Sequence, residues 1–291
     1  MEQSTPGSSP PLRRLAVATW SSMASIAARP YVAGESLEAA LGVCARLRSL
    51  GLMASPGYWN AGDETPDQVA GAYMKALDAL AGTESACLSI KAPALAYDEA
   101  LLVRVAERAR ARRVSLHFDS LSLSTADSTF TCLTQAAVAG LTPGCTLPAR
   151  WSRSRLDVQR AIRFGVPVRI VKGQWEDPSF DGDVGASYLE LVSLLAGRAA
   201  RVGVATHDLP LARLALRRLT SRRTPCELEL LHGLPMKPML RLAREMGVPV
   251  RVYVPYGRGW LPYALSKVSE NPRILWWLMR DLVRAGARSI L

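Results

Sequence analysis

Eight short apolar segments recur along the chain with helical patterns between most of them. They are GLMASPGYW, ACLSIKA (86–92), VSLHFDS (114–120), GCTLPA (144–149), PVRIVKG (167–173), VGVATHD (202–208), CELELLHG (226–233) and PVRVYVPYG (249–257). Short apolar strands alternating with helices imply a parallel sheet covered by helices. Eight such units imply closure into a (β/α)8 barrel, because closure leaves no strand edge unpaired. The expected class is α/β, a single TIM barrel domain preceded by a helical segment.

The helical signals agree with this frame. SLEAALGVCARLRSL sets Leu37, Leu41, Cys44 and Leu47 at helical spacing. TPDQVAGAYMKALDAL begins with Thr65 as N-cap, Pro66 at the first helical position and Gln68 at the third, a capping box. Its apolar stripe is Val69, Tyr73, Leu77 and Leu80. The length of 291 residues suits one barrel. Residues 1–11 are rich in Ser and Pro and are expected to form a disordered tail, leaving 12–291 as the barrel.

Composition excludes several classes. The five cysteines (44, 87, 132, 145, 226) form no CxxC pair, so they read as reduced core thiols of a cytoplasmic protein. No signal-peptide pattern opens the chain, and runs such as ILWWLM are too short to span a bilayer. The net charge of +11 comes with arginine clusters on helical segments but with no nucleic-acid-binding motif, so no nucleic-acid partner is expected. An acidic carrier protein or an anionic membrane face is the partner class the charge suits. His117, His207 and His232 make no metal set, and HExxH and the Walker pattern are absent, so no metal is expected.

In a barrel of this kind the chemistry sits at the C-terminal ends of the strands. That rule selects Lys91, Asp119, Arg169, Lys172, Gly173, Trp175, Thr206, His207, His232, Tyr253 and Tyr256. Asp208 is placed to cap the following helix, which puts Thr206 and His207 beside a helix N-terminus suited to a phosphate. YGRGWLP has the G-x-G of a dinucleotide turn, but Pro262 replaces the third glycine and the strand is the last of the chain. A dinucleotide turn opens a βαβ unit, so this one does not qualify.

Taken in order, VRIVKGQW, VATHD, ELLHGLP and VRVYVPYG…LPYALSKVSEN resemble four signature regions of the proline dehydrogenases, and YVAGESLEAAL, SIKAPAL and HFD resemble that family's earlier strands. The resemblance covers roughly residues 31–284. It implies a distorted (β/α)8 barrel holding non-covalent FAD. It implies hydride removal from the carbon next to a secondary amine and electron transfer to a quinone or another acceptor. It places Arg169, Val171, Gly173, Trp175, Thr206, His207 and Glu270 at the cofactor, and Lys91, Asp119, Leu231 and Tyr253 at the substrate. Arg169, Lys91, Asp119 and Tyr253 are the expected catalytic set. The C-terminal RILWWLMRDLVRAGARSIL is expected to cover the barrel or the cofactor with Trp276, Trp277 and Leu282, peripheral membrane docking being the alternative.

Two departures stand out. Where the family carries two arginines that clamp the proline carboxylate, this chain has Ser266 and Lys267. Where the family has a strand-four glutamine, CTLPAR offers none, and Leu147 is the expected replacement. Three readings follow: an amine dehydrogenase for a proline relative whose carboxylate is absent or masked, as an ester or carrier-bound thioester; oxidation of free proline with Lys267 as anchor; or a barrel without catalysis that serves as a binding module.

Overall fold

Alternation along each strand decides this architecture, and a computed structural model of the chain, describing residues 33–138 and 140–259, shows how. The first half runs α1 (Leu37–Ser49), β1 (Met53–Tyr58), α2 (Pro66–Leu80), β2 (Cys87–Ile90), α3 (Glu99–Arg112), β3 (Ser115–Phe118), α4 (Ala126–Val138) and β4 (Gly144–Pro148). The second runs α5 (Ser154–Phe164), β5 (Val168–Val171), α6 (Val184–Leu195), β6 (Val202–Ala205), α7 (Leu209–Ser221), β7 (Cys226–Leu231), α8 (Lys237–Met246) and β8 (Val250–Tyr256). All eight strands pair in parallel, in chain order, and β8 closes on β1. Helix α1 packs on both β1 and β8. The tail and residues 260–291, with Trp276, Trp277 and Leu282, lie outside the described residues.

Helix starts follow local chemistry. The Thr65 hydroxyl accepts from the Gln68 amide while the Gln68 side chain accepts from the Thr65 amide, the full capping box. Asp208 caps α7 by accepting from the Leu211 amide. In α2 the stripe Val69, Tyr73, Leu77 and Leu80 is buried as its spacing predicts. In α1 the buried stripe is Ala40, Val43, Cys44 and Leu47, and Leu37 and Leu41 only flank the core. Small Ala40 and branched Val43 are buried in their place. All five cysteines are free, and burial pushes the Cys44 thiol up to about 11 and Cys145 to about 12, which leaves them unreactive.

The hydrophobic core lies between sheet and helices. Leu88, Ile90, Leu116, Phe118, Val168, Ile170, Val202, Val204, Val252 and Val254 face outward into it and are essentially inaccessible. The inward positions are polar or small. Ser89 on β2 meets Arg169 on β5, a contact between non-adjacent strands that must cross the lumen. Space for such side chains comes from glycine: a Cβ on Gly203 would overlap the Glu229 carboxylate, and one on Gly57 would overlap the Tyr253 phenol.

One hydrogen bond ties the outer core to the lumen: the Lys91 amide donates to the buried Tyr73 hydroxyl at 3.0 Å. Tyr73→Phe should therefore leave a buried N–H unpaired and cost about 1–3 kcal/mol. Urea unfolding measures this, and an unshifted midpoint would show that the bond contributes nothing.

Candidate active site

The C-terminal ends of the strands open into a cavity of about 320 Å³ with a charged floor. Arg169, one position into β5, lies across the lumen. Its Nε donates to Glu229 Oε2 at 2.6 Å, and its Nη1 donates to Asp119 Oδ1 at 2.9 Å and to Ser89 Oγ at 3.4 Å. Asp119, just beyond β3, also accepts from the Tyr253 hydroxyl at 3.2 Å and from Lys91 Nζ at 3.5 Å. Lys91 Nζ donates in addition to the Tyr58 carbonyl at 2.8 Å and sits 4.4 Å from the Trp59 ring centroid. The Trp59 indole N–H donates to the Tyr253 oxygen at 3.0 Å. Two cations and two carboxylates thus meet at the floor, and their formal charges cancel.

Burial makes these pairings matter, because a buried charge is costly unless paired and hydrogen-bonded. Burial works against the Arg169 charge, but Glu229 and Asp119 outweigh it and hold the guanidinium pKa above its ordinary value. Burial pushes Lys91 below its ordinary value, with Asp119 opposing the shift. Burial, then the Asp119 charge, keeps the Tyr253 phenol well above its usual range, so it stays a donor to Asp119. One layer deeper, Arg251 pairs with Glu227, Nε to Oε1 at 2.7 Å and Nη2 to Oε2 at 3.4 Å.

The walls and rim have a different character. Val171, Gly173 and Trp175 line the cavity from β5 and its following loop, and Leu231 lines it from β7. The loop is held in place: the Trp175 carbonyl accepts from the Trp151 indole at 2.9 Å, and Asp177 accepts from the Ser152 amide at 2.9 Å. Thr206 and His207 line the end beside the N-terminus of α7. His207 accepts from the Leu231 amide at Nε2, 2.9 Å away, so Nδ1 carries the proton toward the Pro235 carbonyl at 3.3 Å. Burial lowers its pKa, and the ring is a neutral strut between β6 and the loop after β7. Lys172 pairs with Asp208 at 2.8 Å on the rim.

Of the residues selected from sequence, the structure gathers Asp119, Arg169, Val171, Gly173, Trp175, Thr206, His207, Leu231 and Tyr253 around one cavity. Lys91 lies behind Asp119, tied to it. Ser266, Lys267 and Glu270 lie outside the described residues. Leu147 is corrected: it turns outward into the core, and Thr146 lines the cavity, paired in register with Arg169 and hydrogen-bonded to His117 at 2.9 Å. Sequence reasoning misses Glu229, Trp59 and Thr146. The alternation in CELELL, with both glutamates on one face, is the signal that identifies Glu229. Among the described residues no cluster of His, Cys, Asp and Glu is arranged to hold a metal ion, and no helix is long and apolar enough to cross a membrane.

No family model matches the chain. It is 26% identical over 279 residues to proline dehydrogenase 1 of Bacillus subtilis subsp. natto, covering 89% of this chain and 91% of that protein. It is 29% identical over 125 residues, 40% of each chain, to the proline dehydrogenase of Deinococcus radiodurans. Among solved structures, proline utilization A of Bdellovibrio bacteriovorus inactivated by N-propargylglycine aligns with a TM-score of 0.71 at 21% identity. That alignment covers 84% of this chain but 32% of the other, so the chain spans about a third of it and the likeness there is one of fold.

His117, His207 and His232 all have pKa values lowered by burial from the ordinary 6.5. Below that pH the unfolded chain binds protons that the folded chain refuses, so stability should fall as pH drops from 6.5 through the lowered folded values. Melting temperatures between about pH 7.5 and pH 5 test this, the unfolded imidazole titrating near 6.5. A flat profile would mean that the histidines protonate without unfolding.

Proposed function

We propose that this chain, a member of the proline dehydrogenase family, is an FAD-dependent dehydrogenase that oxidises a cyclic secondary amine to its imine. The observation that carries the reading is the Arg169–Asp119–Lys91–Tyr253 cluster at the floor of a cavity whose far end meets the N-terminus of α7. The residues present fit the cofactor. Trp175, Val171 and Leu231 supply apolar walls for a flat ring system, and the α7 N-terminus, with Thr206 beside it, suits a pyrophosphate. His207, being neutral, contributes shape and backbone rather than charge. Arg169 and, by the sequence resemblance, Glu270 complete the cofactor set.

FAD, when bound, supplies the hydride acceptor, and the protein supplies orientation and electrostatics. Tyr253 and Leu231 bound the substrate end with apolar surface. Such a desolvated pocket lowers the pKa of an amine and favours the neutral form, which is the form that releases hydride. Tyr253 is held in place by Trp59 and Asp119, and Asp119 by Arg169 and Lys91, so the substrate face is rigid. A quinone or another oxidant then accepts the electrons.

For the substrate, we favour a proline relative whose carboxylate is masked or absent, such as an ester or a carrier-bound thioester. Among the described residues, the cations at the floor and rim already face carboxylates: Arg169 meets Glu229 and Asp119, Lys91 meets Asp119, Lys172 meets Asp208 and Arg150 meets Glu176. Ser266 and Lys267 stand where the resemblance requires two arginines. Free proline is the second reading, supported by the names of the sequence relatives and by Lys267 as the remaining anchor.

Purified protein should be yellow, and anaerobic addition of a proline ester should bleach the flavin absorbance more readily than proline does. A colourless protein that FAD cannot reconstitute would leave only a non-catalytic barrel. Bleaching by proline alone would select the second reading. Combining Ser266→Arg with Lys267→Arg should raise kcat/KM for free proline at least about tenfold, roughly one restored charge-assisted hydrogen bond. Unchanged kinetics would rule out a carboxylate clamp at these two positions.

A further inference from the structure

We propose that Glu229 sets the redox poise of the bound flavin by cancelling the charge of Arg169, so that the barrel offers its cofactor a neutral floor rather than a cationic one. This rests on the flavin reading above. Four observations carry it. Glu229 is 5% exposed and lines the cavity, and its carboxylate meets Arg169 Nε at 2.6 Å; burial pushes its pKa above the ordinary carboxylate value and the adjoining guanidinium opposes that shift, so Arg169 is what favours its charged form. Among the described cations Arg169 is the one hydrogen-bonded to that carboxylate: Arg251 acts on it through space but spends both Nε and Nη2 on Glu227, and Lys91 is committed to Asp119 and the Tyr58 carbonyl. Asp119 and Lys91 already offset one another, so removing the Glu229 charge alone leaves the floor with a net positive charge. Finally, the backbone is adapted to the group, because β6 carries Gly203 where any Cβ would overlap the Glu229 carboxylate.

Holding Arg169 in position does not require a carboxylate. A glutamine oxygen can accept the same Nε bond and is nearly isosteric. The part that only glutamate adds is charge, and in a buried site that charge is little screened by salt. A cation near a flavin favours its anionic reduced form. Cancelling the cation lowers the potential, making the reduced cofactor a stronger donor to its acceptor at the expense of driving force for amine oxidation. Arg169 Nη2 has no hydrogen-bond partner among the described residues, so this edge of the guanidinium remains for a ligand.

The test compares FAD-loaded wild type with Glu229→Gln, Glu229→Ala and the charge-conserving Glu229→Asp. Two readouts that do not depend on turnover are the two-electron midpoint potential and the affinity for sulfite, an anion that adds to electron-poor flavins. In either neutral variant the preference for reduced over oxidised FAD should rise at least about tenfold, near 30 mV for a two-electron couple. Sulfite should bind about tenfold more tightly, a change of about 1.4 kcal/mol. Glu229→Asp should stay within about twofold of wild type on both readouts, less than about 0.5 kcal/mol. The proposal is overturned by an unshifted potential in a neutral variant that holds FAD, or by a Glu229→Asp shift as large as that of Glu229→Gln. It is also overturned if both neutral variants lose FAD while Glu229→Asp keeps it, which would make the glutamate structural. Failure of wild type to bind FAD would instead bring down the flavin reading itself, and is separately visible as a colourless protein.

Discussion

The structure is organised around a guanidinium in the lumen of a closed barrel. Arg169 is buried on the cavity floor, and a charge there is tolerated only if it is paired and fully hydrogen-bonded. Glu229 from β7 and Asp119 from the end of β3 provide that pairing. Their presence has consequences for every strand around them. Gly203 must lack a side chain, Ser89 must be small and polar, and Thr146 takes the place beside Arg169. The large aliphatic residues of the strands are displaced to the outer face, where the helices bury them.

The same demand shapes the cavity. Asp119 is shared by Arg169, Lys91 and Tyr253, so strands β2, β3, β5 and β8 are tied together at the mouth by one carboxylate. Trp59 extends the tie to the end of β1 through Tyr253. Above this floor the walls are apolar, and the rim ends at a helix N-terminus. A charge-compensated floor, apolar walls and a helix N-terminus at the rim are the features on which the proposed flavin reading rests.

Much of this arrangement is legible in the amino-acid order. The eight strand segments are bounded by turns and helix caps whose residues act locally, as Thr65 with Gln68 and Asp208 with Leu211 show. Strand-end position selects Asp119, Thr206 and His207 because the barrel rule depends only on where a strand stops, whereas Arg169 and Tyr253 sit earlier in β5 and β8 and reach the cavity from within the lumen. The departures have one origin. Leu147 in place of Thr146, and an α1 stripe on Leu37 and Leu41 rather than Ala40 and Val43, both turn on which way an element is rotated, which a local pattern does not state. Glu229 escapes notice for a related reason: the alternation in CELELL sets both glutamates on one face, but only the closed barrel shows that this face is the lumen. His207 is legible as a rim residue, but its role as a strut depends on Leu231 and Pro235, which local sequence does not bring near.

By itself the sequence determined the alternation of strands and helices, the approximate position of each strand and the chemical kinds of side chain near the strand ends. These rest on periodicity, capping and turn chemistry, all of which act over a few residues. Only the tertiary structure decided which face of each strand points inward and which charges meet. A period of two says that neighbouring side chains oppose one another and leaves open which set faces the lumen. Closure and strand register settle that choice. They bring Asp119 to Tyr253 across 134 residues and Arg169 to Glu229 across 60, turning scattered polar residues into one compensated cluster.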